Sequence, residues 1–242
     1  PNDNEHIMFV WFDALVSYIS ALGWPDNLSK FNDFWPGLQT AGKDNLRQQS
    51  SMWQAMLMSA GLPPSRQIFI HGFINSNGQK MSKSSGNVID PFSLVEKYGT
   101  DAVRYYLLRE ISPTEDGDFT YEKFEQRYNS DLAGGIGNLV SRTAALAVKL
   151  NVLQTKPTSK INKAINTAKK DCKKYLEDFK FNEALKSIWE LVSFCDKYIN
   201  SEKPWEEKKN SSEVVSNILF ALNEISDLLS PFLPETSEKI KK

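Results

Sequence analysis

The chain has 242 residues, 40% of them hydrophobic and 24% charged, with a formal net charge of -1. It is long enough to bury one or two cores, and its near-neutral charge excludes a global basic field, so a nucleic-acid partner has to be held by local patches. Cys172 and Cys195 form no CxxC pair, so their spacing gives no zinc site, and no segment has the apolar length of a membrane span. We therefore expect a reduced, cytoplasmic setting, no metal ligands and no membrane contact.

In chain order, Ile7-Met8-Phe9-Val10-Trp11-Phe12 is a short apolar run that predicts a buried strand. Asp13 is expected to open a helix carrying Ala14, Leu15, Tyr18, Ile19 and Leu22, and Gly23-Trp24-Pro25 to end it. A polar, aromatic loop leads to a weak strand over 37–41. Gly42 and Asp44 begin a long helix through Met58, which Gly61-Leu62-Pro63-Pro64 stops. Gln67-Ile68-Phe69-Ile70 is the clearest strand. This strand–helix alternation predicts part of an open parallel sheet.

Asp90-Pro91 reads as a cap with proline in the first helical position, opening a helix from Phe92 to Tyr98. Thr100 or Asp101 is expected to cap the next helix. The polar break 112–118 marks the expected domain transition. Beyond it, apolar residues recur at helical spacing over 121–150, 161–177, 182–200 and 212–229, joined by short polar linkers. That predicts an antiparallel helical bundle.

The segment with the most chemistry is Lys80-Met81-Ser82-Lys83-Ser84, with His71-Gly72 before it and Gly86-Asn87 after it. Two lysines and two serines in five residues suit a loop that grips a polyphosphate through cations, hydroxyls and backbone N–H groups. On composition alone a solvated loop is the better account, and the Walker spacing is absent. The residue order, however, resembles the five-residue signature of class I aminoacyl-tRNA synthetases. Val10-Trp11-Phe12-Asp13-Ala14, Gly42-Lys43-Asp44, 58–63, 98–107 and 129–133 are similar to methionyl-tRNA synthetases in particular.

The resemblance implies the carboxyl-terminal half of a Rossmann-like parallel-sheet fold over 1–115, followed by a helical anticodon-binding domain over 116–242. It implies ATP, with Mg2+, and methionine as substrates and tRNA(Met) as partner. Lys80 and Lys83 match catalytic lysines that meet the leaving pyrophosphate. Gly42, Asp44, His71, Gly72, Met81, Ser82, Lys83 and Ser84 match the ATP site. Without the resemblance, His71 reads as an ordinary strand-end histidine. Trp11, Ala14 and Tyr18 match the amino-acid pocket, although aromatic residues at such spacing are more often core. Asn45 and Gln49 fall in the same pocket but depart from the family, which often has an apolar residue and a histidine there. Gln39 also stands where a histidine is frequent.

Asn138 and Arg142 share a helix face, and Trp205 follows Pro204; the matching family residues read the anticodon by stacking and edge hydrogen bonds. The plain alternative makes Trp205 a bundle cap and Arg142 a surface residue. The run Lys169, Lys170, Lys173, Lys174 is better read as a solvated face than as a phosphate contact. The family's other signature, His-x-Gly-His, is not in this sequence. The chain begins at Pro1, so we expect a piece of a longer protein, with little adenylate-forming activity by itself. Rival expectations are a class I synthetase for leucine, isoleucine, valine or cysteine, and a non-catalytic tRNA-binding module.

Overall fold

The computed structural model describes residues 5–7, 9–82, 84, 86–152 and 156–242. It forms two compact units that divide between Phe73 and Ile74.

The first unit opens with helix α1 (Val10–Ser20), followed by α2 (Leu28–Phe34), strand β1 (Leu38–Gly42), a 3-10 turn (Lys43–Asn45), a π-turn (Gln48–Met52), α3 (Trp53–Ser59) and β2 (Gln67–His71). β1 and β2 pair in parallel, Leu38 opposite Gln67 and Gly42 opposite His71. The core is aromatic: Leu15 and Ile19 of α1 pack with Phe31, Trp35, Trp53 and Leu57.

Two expectations need correction here. The strand over 7–12 is not formed: Ile7 and Phe9 are exposed, Met8 lies outside the described residues, and from Val10 the chain is helical. A strand needs a ladder partner for its backbone groups, and the sheet described in this unit is β1 with β2 alone. Trp11, Leu15 and Ile19 instead extend the apolar helical face. Asp13 consequently lies within the first turn of α1 rather than capping it. The loop before β1 also contains α2, whose Asn27 side chain accepts a hydrogen bond from the Lys30 N–H at 3.1 Å.

The second unit begins with a three-stranded sheet in the order β4-β3-β5, from β3 (Ile74–Ser76), β4 (Gln79–Lys80) and β5 (Gly117–Phe119). β3 and β4 form a hairpin turned by Asn77 (φ 51°) and Gly78 (φ 73°), both in the left-handed region that a tight hairpin requires. Between β4 and β5 lie α4 (Pro91–Tyr98) and α5 (Thr100–Glu110). Asp90 caps α4 as expected, accepting from the Phe92 and Ser93 N–H groups.

The bundle follows: α6 (Tyr121–Arg127), a π-helical stretch (Tyr128–Gly137), α7 (Asn138–Lys149), α8 (Ser159–Glu177), α9 (Phe181–Glu202), a 3-10 turn (Pro204–Glu206), α10 (Ser211–Leu229) and α11 (Pro234–Lys241). Its core is a continuous seam including Ile161 and Ile165 of α8, Ile188, Leu191 and Ile199 of α9, and Ile218 and Ile225 of α10, all essentially buried. Each such side chain contributes roughly 1.5–3 kcal/mol on burial. Cys172 and Cys195 belong to this seam; burial, with Asp196 beside it, pushes the Cys195 thiol up to about 12.

Asp101 corrects another expectation. It does not cap its own helix, whose N-cap is Gly99. Its carboxylate is buried and accepts from the Thr236 N–H at 2.6 Å, so it caps α11 instead. One turn on, Arg104 donates to the carbonyls of Phe232 (2.8 Å) and Pro231 (2.7 Å). We expect Asp101→Ala to lower unfolding free energy by ~1–2 kcal/mol, the usual cost of a lost N-cap, read as a lower urea midpoint at unchanged slope.

Candidate nucleotide, amino-acid and RNA sites

The in-register pairing of β1 and β2 brings their carboxyl ends level, where ligands bind in parallel sheets. Gly42 and His71 are paired at that edge. A Cβ built on Gly42 would lie 2.8 Å from Asp44 Oδ1 and 3.6 Å from His71 Cε1, so the glycine sits in a crevice between carboxylate and imidazole. The His71 Nδ1–H donates to the Gly72 carbonyl at 2.9 Å, which leaves Nε2 as the acceptor of the neutral ring. Lys43 Nζ sits 4.6 Å from the Phe73 ring centroid. Gly42, Asp44, His71 and Gly72 are thus brought together.

Trp11, Ala14 and Tyr18 lie three and four residues apart on α1. Tyr18 is 38% exposed, and its ring lies 6.0 Å from that of Trp53. Gln49 is only 2% exposed and donates from Nε2 to the Tyr18 hydroxyl at 2.9 Å. Asn45 closes the 3-10 turn, half-buried, one turn before Gln49.

In the second unit, Lys80 ends β4 and the loop runs on through Met81, Ser82 and Ser84; Lys83 lies outside the described residues. Asn87 staples this loop. Its Oδ1 accepts from the Ser82 N–H at 2.9 Å and its Nδ2 donates to the Lys80 carbonyl at 3.2 Å. The Ser82 and Ser84 hydroxyls lie 3.1 Å apart, and Met81 packs on the core that includes Leu94 and Tyr106. At the hairpin behind it, the Gly78 N–H donates to Asp118 Oδ1 at 2.7 Å.

In the bundle, Arg142 is held by Asp196 at 3.0 Å, and its guanidinium carbon lies 5.9 Å from the Trp205 ring centroid. Asn200 Nδ2 donates to the other oxygen of Asp196 at 3.1 Å. Trp205 is 41% exposed, while Pro204 before it is buried; Lys203 (φ 49°) and Glu207 (φ 54°) bend the chain on either side so that the indole stands out. Asn138 is exposed one turn before Arg142. In the lysine run of α8, Lys169 pairs with Glu224, Lys173 reaches Glu177 at 3.9 Å, and Lys174 lies 5.9 Å from the Tyr175 ring. Two of the four lysines thus face carboxylates of the bundle itself.

A family model described as "tRNA synthetases class I (M)" matches residues 1–144, and one described as "Anticodon-binding domain of tRNA ligase" matches 159–242. The chain belongs to the class I tRNA synthetase (M) family. Relatives include methionine–tRNA ligases of Caldanaerobacter subterraneus subsp. tengcongensis, 42% identical over 99% of this chain and 40% of theirs, and of Rickettsia bellii, 41% identical over 99% and 50%. The solved Mycobacterium tuberculosis methionyl-tRNA synthetase bound by methionyl-adenylate superposes with a TM-score of 0.89 at 33% identity, covering 99% of this chain and 50% of that one. The chain therefore spans 40–50% of the length of these class I synthetases. The family fold is the parallel-sheet half and the helical bundle described above.

Several contact residues escaped the sequence reading. Trp53 lies one turn beyond Gln49, a spacing that was available as a signal. Asp196 carried none, since a surface aspartate on a helix is too common; Asn87 was noted beside the lysine loop, but its role as the loop's hydrogen-bond partner was not. If Asn87 holds the loop as the geometry indicates, Asn87→Ala speeds tryptic cleavage within 80–84 several-fold, while fragments from the bundle appear at the wild-type rate.

Proposed function

We propose that this chain is the carboxyl-terminal part of a methionine–tRNA ligase. The carrying observation is the edge where Gly42, Asp44 and His71 converge, a glycine-floored crevice with a carboxylate acceptor and a ring acceptor at the carboxyl ends of two parallel strands. It suits a nucleoside, whose ribose hydroxyls donate to Asp44 and whose base or sugar approaches the bare Gly42 backbone.

In the reaction, a methionine carboxylate oxygen attacks the α-phosphorus of ATP, forming methionyl-adenylate as the bond to pyrophosphate breaks. A terminal ribose hydroxyl of tRNA(Met) then attacks the adenylate carbonyl, and AMP leaves. Negative charge grows on the departing pyrophosphate, so a cation that meets it only in the transition state raises rate more than affinity. We assign that task to Lys80 and Lys83, with Ser82, Ser84 and the Met81 backbone on the phosphate oxygens. Mg2+ travels with ATP as its counter-ion; among the described residues no group of three or more His, Cys, Asp or Glu side chains gathers into a metal site. Trp11, Ala14, Tyr18, Asn45 and Gln49 form the amino-acid wall.

At the bundle, Trp205 offers an exposed ring and Arg142 a guanidinium preset by Asp196. Together with Asn138 these suit splayed anticodon bases, which stack on rings and are hydrogen-bonded at their edges. The family matches, to 1–144 and 159–242, support the order of a synthetase part before an anticodon-binding part; we keep ATP chemistry over 1–115 and RNA reading over 116–242 as our own division.

The test uses the full-length protein containing this segment. It should exchange pyrophosphate into ATP with methionine and not with leucine, isoleucine, valine or cysteine. Lys80→Ala should lower kcat by ~100-fold with a small change in the KM for ATP. Trp205→Ala should leave exchange intact and weaken tRNA charging through the KM for tRNA, by roughly tenfold or more for one lost stack. The 242-residue chain alone should bind tRNA without exchange. Full-length protein that binds tRNA in a salt-dependent way but exchanges with no amino acid is a binding module instead.

A further inference from the structure

Behind Tyr18 lies a chain of side-chain hydrogen bonds within the first unit that the family assignment does not explain. The Ser65 hydroxyl donates to Gln39 Oε1 at 2.6 Å. Gln54 Nε2 donates to the Ser65 Oγ at 3.1 Å and to the backbone carbonyl of Gln49 at 2.8 Å. The Ser65 N–H donates to Gln54 Oε1 at 2.9 Å, and Gln49 Nε2 donates to the Tyr18 hydroxyl at 2.9 Å.

The directions around Gln54 follow from its partners. A backbone carbonyl only accepts, so the Gln54 nitrogen is the end that faces Gln49. Both Gln54 donors and its acceptor are then engaged, so the amide has no second orientation of equal quality. Ser65 Oγ already receives a proton from Gln54, so its own proton goes to Gln39. Gln49 sits in the π-turn Gln48–Met52, where the Trp53 N–H reaches back to the Gln48 carbonyl. Gln54 covers the neighbouring Gln49 carbonyl from the side. The wide turn is thereby held open at the residue that points inward, the usual setting of a π-turn at a functional position.

The consequence falls on Tyr18. Its oxygen accepts from Gln49, so its own proton remains to be given to something else. The hydroxyl belongs to a residue that is 38% exposed and stands against the Trp53 ring. A thioether sulfur is a weak hydrogen-bond acceptor; a methylene is none. We propose that Ser65 and Gln54 are positioning residues for amino-acid selection. They hold the π-turn that delivers the Gln49 amide to Tyr18 and so keep the Tyr18 hydroxyl as a donor aimed at a substrate's thioether. This rests on reading Tyr18 as a wall of the amino-acid site.

The experiment is amino-acid-dependent pyrophosphate exchange by the full-length protein, comparing methionine with norleucine, which replaces the sulfur by a methylene. Ser65→Val and Ser65→Thr form the informative pair, because they share a shape and only threonine keeps the hydroxyl. We expect Ser65→Val and Gln54→Leu to raise the KM for methionine about tenfold, with the KM for ATP unchanged and kcat within about twofold, the scale of one or two lost hydrogen bonds. The preference for methionine over norleucine should shrink by a similar factor, and Ser65→Thr should restore it. Folding of each variant is checked by its thermal midpoint. Wild-type methionine KM and selectivity in both Ser65→Val and Gln54→Leu overturns the proposal. An equal rise in KM for methionine and norleucine also overturns it, since that marks general damage to the pocket. Absence of methionine-dependent exchange in the wild-type protein overturns the functional reading itself, and this inference with it.

Discussion

The second unit depends on one long-range contact. Asp101 and Arg104 stand nearly one turn apart on α5, and each bonds backbone more than 120 residues away, Asp101 through Oδ2. Buried backbone groups at a helix start and in the turn before it need partners, and here two side chains supply them. That obligation binds α5 to the last helix of the bundle. The strand β5 and the hairpin of β3 and β4 then have a fixed platform, and the Lys80 loop projects from that hairpin. A second tie runs through the π-helical stretch: Tyr105 donates to Asp131 at 2.7 Å, and Arg127 bridges Asp131 and Glu110. Burial, and then the Asp131 carboxylate, push the Tyr105 hydroxyl far above its ordinary range, so it remains a proton donor at all working pH values.

In the first unit the governing constraint is polar rather than apolar. Gln39 and Gln49 are buried at positions where their amides need partners. The chain answers with Ser65, Gln54 and Tyr18, so the hydrogen bonds of the core end at a surface hydroxyl. Some capacity remains unmet: Gln39 Nε2, Gln49 Oε1 and Trp53 Nε1 have no partner among the described residues. Buried polar groups without partners are expensive to keep.

Legibility in the sequence followed the range of the interactions. The four long bundle helices appear within a few residues of their expected bounds, because an amphipathic period repeated over many residues is a strong signal and the core is built from it. Asp90-Pro91 was read correctly because a cap is satisfied within three residues. Asp101 was misassigned for the complementary reason: as an N-cap it had two possible helices, and the one it serves begins at Pro234. The run from Ile7 to Phe12 shows the weakness of short apolar stretches, which fit a strand or a helix until a neighbour decides. The Asn77-Gly78 hairpin was readable from its dipeptide and was overlooked because the strands on either side are only two or three residues long.

The sequence by itself determined the family, the order of a parallel-sheet segment before a helical bundle, and the residue types available to the proposed nucleotide, amino-acid and RNA sites. Those are properties of local pattern and of motif order. Only the tertiary structure decided which residues meet: Gly42 with Asp44 and His71, Gln49 with Tyr18, Arg142 with Asp196 and Trp205, and Asn87 with the Lys80 and Ser82 backbone. Hydrogen bonds and ring contacts act over a few ångströms, and sequence spacing does not measure that distance once the chain has turned back on itself. The lysine loop therefore looked like a cluster of charges in the sequence. In the folded chain it is a short bridge whose backbone one asparagine holds.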